Sequence, residues 1–194
     1  MTRSLSTLAR SAALAAFCAG LFGCASVKLP APTASADTVQ KLRAANAGPV
    51  KAGAFAPGPG LKADADRSQG GLRGSTVSAA SGSFSQYLKD EIVTELKAAG
   101  LYDDNARTQI DAQLTDSQLD AAIGTGTGRL AAHFTVTRDG GKVFEKELVV
   151  DGRWESSFVG AVALPEAINR YSQFYKALAA KLFEDPDFRA AVAR

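Results

Sequence analysis

The sequence predicts an α+β fold, a two-layer sandwich with two main amphipathic helices on one face of a mostly antiparallel sheet. Three observations point there. Two stretches, 84–99 and 165–184, repeat apolar residues at helical spacing. Three others, around 108–114, 130–136 and 144–150, alternate apolar and polar residues as half-buried strands do. An Asp139-Gly140-Gly141 turn joins the last two as a hairpin. With 194 residues, one domain is the natural expectation.

Taken in order, the chain opens with Arg3 and Arg10, followed by the uncharged run SAALAAFCAGLF over residues 11–22. A basic start, a dozen apolar residues and a small residue at the cut describe a secretory signal. The run falls short of the roughly 20 apolar residues that cross a bilayer. Residues 1–23 are therefore read as a signal peptide, with cleavage between Gly23 and Cys24. Leu21-Phe22-Gly23-Cys24 resembles the lipobox of bacterial lipoproteins, although Phe22 is bulkier than usual. That resemblance implies diacylglycerol on the Cys24 sulfur. Two or three acyl chains hold a protein on a membrane without further help, since each buried CH₂ contributes about 0.8 kcal/mol. Ala25 and Ser26 follow, with no Asp of the retention type, so an outer-membrane location facing the periplasm is expected.

The signal peptide contains two of the 22 basic residues and no acid, leaving 20 basic against 20 acidic side chains. A neutral, interspersed surface speaks against nucleic acid, which calls for clustered Lys and Arg. Cys18 leaves with the signal peptide, so the body of the protein holds no disulfide framework.

Residues 24–36, rich in Pro, Ala, Ser and Thr, read as the lipidated Cys and a flexible tether; 37–194 form the globular domain. Asp37 is expected to cap a short helix to about Asn46, and 50–55 reads as a strand. Residues 56–71, with Pro57, Pro59 and four glycines, read as a mobile loop, and 72–79 as a weak strand. Helix 84–99 carries Phe84, Leu88, Ile92 and Leu96, a Ser83/Gln86 capping pair, and Gly100 with Leu101 as a left-handed stop. After Val150 a bend near Gly152 is expected before Trp154, Ser156 and Phe158. Pro165 opens the second main helix, and Asp185-Pro186 restarts a short last one.

From about Val50 onward the pattern resembles the YajG-type group of small bacterial lipoproteins. GSFSQYLKDEIVTELKAAG (82–100), the hairpin strands through Val150, WESSFVGAVALPEAINRY (154–171) and LFEDPDF (182–188) carry the resemblance. Auxiliary lipoproteins of envelope transport and assembly machines share a comparable helix-on-sheet layout. The resemblance implies fold and location, and no functional residues.

Candidate chemistry is sparse. Gly124-Thr125-Gly126-Thr127-Gly128 lacks the Lys-Ser/Thr pair and the following helix of a phosphate cradle, and reads as a flexible strand lead-in. His133, the single histidine, falls on a polar strand face; zinc would find only carboxylates beside it. Asp103/Asp104 and Glu145/Glu147 read as solvated charges. No catalytic, metal or cofactor site is expected. The uncharged run 158–164 (FVGAVAL) has two readings. Buried, the expected state, it is a strand end and helix entry; exposed, Phe158, Val159, Val162 and Leu164 form a partner surface. The function expected is a non-enzymatic binding or accessory module, anchored to the membrane and docked on an envelope protein. The alternatives are an apolar-ligand carrier with a cavity between the two main helices, and a hydrolase using His133.

Overall fold

The computed structural model describes residues 26–194. Two sheets and five helices form the expected α+β sandwich. Strands β1 (Ser26–Lys28), β3 (Ser68–Leu72) and β4 (Ser75–Ser78) make a small sheet in the order β1-β4-β3. Strands β2 (Val50–Pro57), β5 (Thr108–Asp120), β6 (Gly124–Arg138) and β7 (Gly141–Ser156) make the main sheet in that order. It is antiparallel except where β2 runs parallel to β5. Helices α1 (Ala36–Ala44), α2 (Ala63–Arg67), α3 (Phe84–Ala99), α4 (Gly160–Glu184) and α5 (Pro186–Val192) complete the chain.

The best-determined element is α3, and the reason is local. Ser83 Oγ accepts from the Gln86 amide, leaving one fewer unpaired donor at the N-terminus. At the other end Gly100 adopts φ +77°, and the Leu101 and Gly100 amides return to the carbonyls of Leu96 and Lys97. That reciprocal pair is the Schellman stop, and Leu96 and Leu101, the residues it brings together, are both buried. Helix α5 is equally legible: Asp185 accepts from the Asp187 and Phe188 amides, and Pro186 occupies the first turn.

The core lies between α3, α4 and the inner face of the main sheet. Ile110, Leu114, Leu130, Phe134 and Val136 project from the sheet and are fully buried. Phe84, Tyr87, Tyr171 and Tyr175 fill the space between the two helices, in mostly edge-to-face contacts with centroids 5.0–6.3 Å apart. The buried Tyr171 and Tyr175 hydroxyls are satisfied by Ser117 and by each other.

Several expectations need correcting. Residues 26–36 are not a free tether. Ser26–Lys28 pair in parallel with Thr76–Ser78, and Leu29 is buried. Tyr87 donates to the Pro30 carbonyl at 2.8 Å, and the Ser35 amide donates to Glu95 Oε1 at 2.8 Å. A Pro-rich composition describes a chain without internal hydrogen bonds, which suits a strap docked on other elements as well as a leash. Ser35, rather than Asp37, caps α1; Asp37 pairs instead with Lys41.

The segment 56–71 is likewise ordered. It finishes β2, forms α2 and enters β3, and buried Asp66 accepts from both the Ser85 amide and hydroxyl at 2.8 Å. Strands β6 and β7 pair without a bend at Gly152, which faces Gly128. Helix α4 begins at Gly160, ahead of Pro165. A proline this near an N-terminus leaves only an early carbonyl unpaired, so an extra turn can precede it.

Candidate functional site

Two left-handed turns lie at opposite ends of the main sheet. Asp139-Gly140 (φ +51° and +82°) closes the β6–β7 hairpin as predicted, and Arg73-Gly74 (φ +50° and +91°) closes β3–β4 in the same left-handed manner. Asp is at home in that conformation, whereas Arg is strained there. Its side chain explains why the strain is tolerated. The Arg73 guanidinium donates to the carbonyls of Ala121, Ala122, Ser157 and Phe158 and to Ser156 Oγ. One planar cation thereby clasps the two loops that leave the far end of the sheet. Nothing in the spacing of Arg73 foretells this role; the only trace is an Arg-Gly pair between two short Ser- and Gly-rich stretches.

The clasped loops carry the run 158–164. Burial was the expected state and the structure overturns it. Phe158 is 79% exposed, Val162 56% and Val159 42%, with Ile123 of the neighbouring loop at 71%. Leu164 departs from that set and packs against the core, as Ala163 does. The split follows from helical geometry. Once Gly160 starts a helix, Ala163 and Leu164 turn inward while Phe158, Val159 and Val162 face out. A groove of about 680 Å³ runs beside them, lined by Ile123, Glu155, Phe158, Glu166 and Arg170 among others.

The glycines of 124–128 are strand, not a flexible lead-in. A Cβ at Gly126 would stand 2.2 Å from the Trp154 ring, and one at Gly128 would stand 2.2 Å from the Phe174 ring. These residues are glycine so that two aromatic rings can lie flat on the sheet, a packing role in place of a phosphate cradle.

The remaining candidates do not converge. His133 lies on the outer sheet face with Nε2 3.1 Å from Glu145 Oε1. Lys142, then His133, hold the Glu145 carboxyl below its usual range. The hydroxyl of Thr115 donates to Glu147 at 2.8 Å, and Asp103 and Asp104 accept local bonds from the Asn105 amide and the Tyr102 hydroxyl. Among the described residues no group of three or more His, Cys, Asp or Glu could hold a metal, and no helix is long and apolar enough to cross a membrane. Cys24 and Gly23 lie outside the described residues.

A polar cleft of about 250 Å³ opens where the strap crosses between α3 and α4, lined by Pro30, Thr33, Tyr87, Glu91, Ser172 and Lys176 among others. Glu91 is only 1% exposed and its Oε1 has no partner. Burial, with a smaller push from Glu95, raises its pKa to about 7 against the pull of Lys176. Glu95, one turn on, is raised by burial and partly relieved by the Ser35 amide. Amphipathic patterning missed both because each sits where a strap, not solvent, covers the helix.

This architecture recurs in a protein of the DUF330 family from Xanthomonas campestris, with a TM-score of 0.58 at 12% identity over 86% of this chain and 96% of that one. The two share a fold. At that identity the likeness extends no further. A candidate lipoprotein from Caulobacter crescentus (TM-score 0.44, 13% identity, covering 80% and 95% of the two chains) is more distant. So is a minor lipoprotein from Acinetobacter baumannii (TM-score 0.43, 14% identity, 71% and 89%). No family model and no curated protein matches the chain.

Proposed function

We propose that this chain is a YajG-type bacterial envelope lipoprotein, held by acyl chains on Cys24 to the periplasmic face of the outer membrane. Its domain serves there as a non-enzymatic accessory module that docks on an envelope protein engaged in transport or assembly. The observation that supports this most is the register of β1. Pairing begins at Ser26 with Thr76, two residues beyond the lipobox cysteine. Acyl chains on Cys24 would then be separated from the docked strand by a link of two residues in place of a long leash. A domain so held meets partners in its own membrane plane. The outer face of the main sheet, with Gln113, His133, Thr135 and Glu147, is broad and solvated and suits a polar protein contact. Against the carrier reading, the aromatic rings of Phe84, Tyr87, Tyr171 and Tyr175 pack the space between α3 and α4 where it requires an apolar cavity.

Two measurements test the proposal. Cys24→Ser is expected to accumulate unprocessed precursor without covalent diacylglycerol; a mature Cys24→Ser chain cut after Gly23 refutes the anchor. A photo-crosslinker at Gln113 in intact cells is expected to capture one dominant envelope protein. Stoichiometric lipid without any protein partner would favour the carrier instead.

A further inference from the structure

Four of the five large apolar side chains that stand exposed among the described residues, Ile123, Phe158, Val159 and Val162, lie at one end of the molecule. Ile123 and Phe158 flank the start of β6 and the end of β7, where Gly124 pairs with Ser156. The fifth, Val143, belongs to the opposite hairpin, roughly 40 Å away along the strands at 3.3 Å per residue. A single exposed apolar residue needs no explanation, but a cluster on two clasped loops does.

The chain itself indicates what covers that end. Strand β1 runs parallel to β4, with Ser26 beside Thr76, so Ser26, the first described residue, stands at the end of β4 that adjoins the Arg73-Gly74 turn. That is the turn whose Arg73 guanidinium lies 3.1 Å from the Phe158 carbonyl oxygen. Cys24, two residues before Ser26, can be at most about 7 Å from it along an extended chain. In a domain roughly 40 Å across, Ser26, the residue to which that short covalent link leads, and the apolar cluster share one end. The groove beside the cluster mixes Glu155 and Glu166 with Arg170, so its charge offers no strong pull on either sign of headgroup.

We infer that Ile123, Phe158, Val159 and Val162 form a membrane-facing surface, seated in the headgroup and acyl boundary of the same bilayer that holds the Cys24 acyl chains. This rests on the lipid-anchor reading above. The acyl chains supply retention and the cluster supplies orientation. Together they make two separated contacts with one plane, which sets the long axis of the main sheet away from the bilayer and presents its outer face sideways. Arg73 serves this surface by holding both apolar loops at one level.

The mature chain has no cysteine besides Cys24, so single cysteines are free for labelling. The lipidated protein, with Phe158→Cys, Val162→Cys or Val143→Cys carrying an environment-sensitive fluorophore, is reconstituted on phosphatidylethanolamine/phosphatidylglycerol vesicles containing spin-labelled lipid. Phe158→Cys and Val162→Cys probes should be blue-shifted and quenched several-fold more than the Val143→Cys probe. Equal quenching at all three positions, on protein that still floats with the vesicles, overturns the membrane-facing surface and spares the anchor. Protein that fails to float overturns the anchor reading first. Probes at Phe158 and Val162 that stay wet on pure vesicles but become shielded in isolated native membranes assign the cluster to a protein partner, and also overturn the inference. Melting curves matching the parent chain show that each variant is folded before its probe is read.

Discussion

Glu91 gives the fold a pH dependence opposite to that of an ordinary domain. Its carboxyl is almost wholly buried under the strap, with Oε1 unpaired and the Lys176 cation acting on it from a distance. The pKa stands at about 7 in the folded chain against an ordinary 4.5. Between those values the folded protein binds a proton that the unfolded chain does not. Stability is therefore full below about pH 4.5 for this group and is lost as pH rises through about 7. At 1.36 kcal/mol per pH unit the displacement corresponds to about 3 kcal/mol, which solvent screening at the mouth of the cleft reduces to about 2 kcal/mol. Glu95 shifts in the same direction and adds to the trend. Glu91→Gln keeps the shape and removes the charge. At about pH 8 it should raise the melting temperature by roughly 4–8 °C, and at about pH 5 it should match the parent. Thermal and urea unfolding of both chains across that range decide the matter. A parent chain that grows more stable from about pH 5 to about pH 8, or a Gln variant with the parent's pH slope, would refute the reasoning.

Two further substitutions probe the sheet end. Gly128→Ala drives a Cβ into the Phe174 ring and should cost about 1–3 kcal/mol, most of it recovered when Phe174→Ala is combined with it; additive costs in the double variant would show that the ring is not the reason for the glycine. Arg73→Lys replaces a five-acceptor fork with a point charge and should cost about 2 kcal/mol. Hydrogen exchange should then accelerate in the loops at 121–123 and 156–159, and unchanged protection there would sink the clasp.

Much of the fold was legible because its signals are local. Helix α3 announces both of its ends through Ser83 and Gly100, α5 through Asp185-Pro186, and the β6–β7 hairpin through Asp139-Gly140. Each is a short-range device whose chemistry lies within six residues. What escaped notice depends on residues far apart in the chain. The strap 26–35 is ordered by Thr76, Tyr87 and Glu95, which no window around a Pro-rich segment contains. The glycines at 126 and 128 read as flexibility because their partners, Trp154 and Phe174, lie many residues on. The run 158–164 misled for a subtler reason. Proline marks a favoured first turn, which by local rules alone starts helix α4 at Pro165 and makes the preceding residues a buried linker. A helix beginning at Gly160 instead divides the same residues by face, with Ala163 and Leu164 inward and Phe158, Val159 and Val162 outward.

The strap and the apolar end bear on one another. A free leash of eleven residues would let the domain roam up to roughly 40 Å from the bilayer. Docking residues 26–35 removes that reach, and the hydrogen bonds that dock it end on the α3 face that carries Glu91 and Glu95. Loss of the strap would expose both carboxylates to solvent, which is the state their ionised forms prefer. Alkaline conditions therefore favour a longer leash and acidic conditions a shorter one, while the apolar loops clasped by Arg73 are unaffected by either. A pH-dependent loss of protection confined to residues 26–35 and α3, with the Arg73 loops unchanged, is the pattern that this division of labour requires.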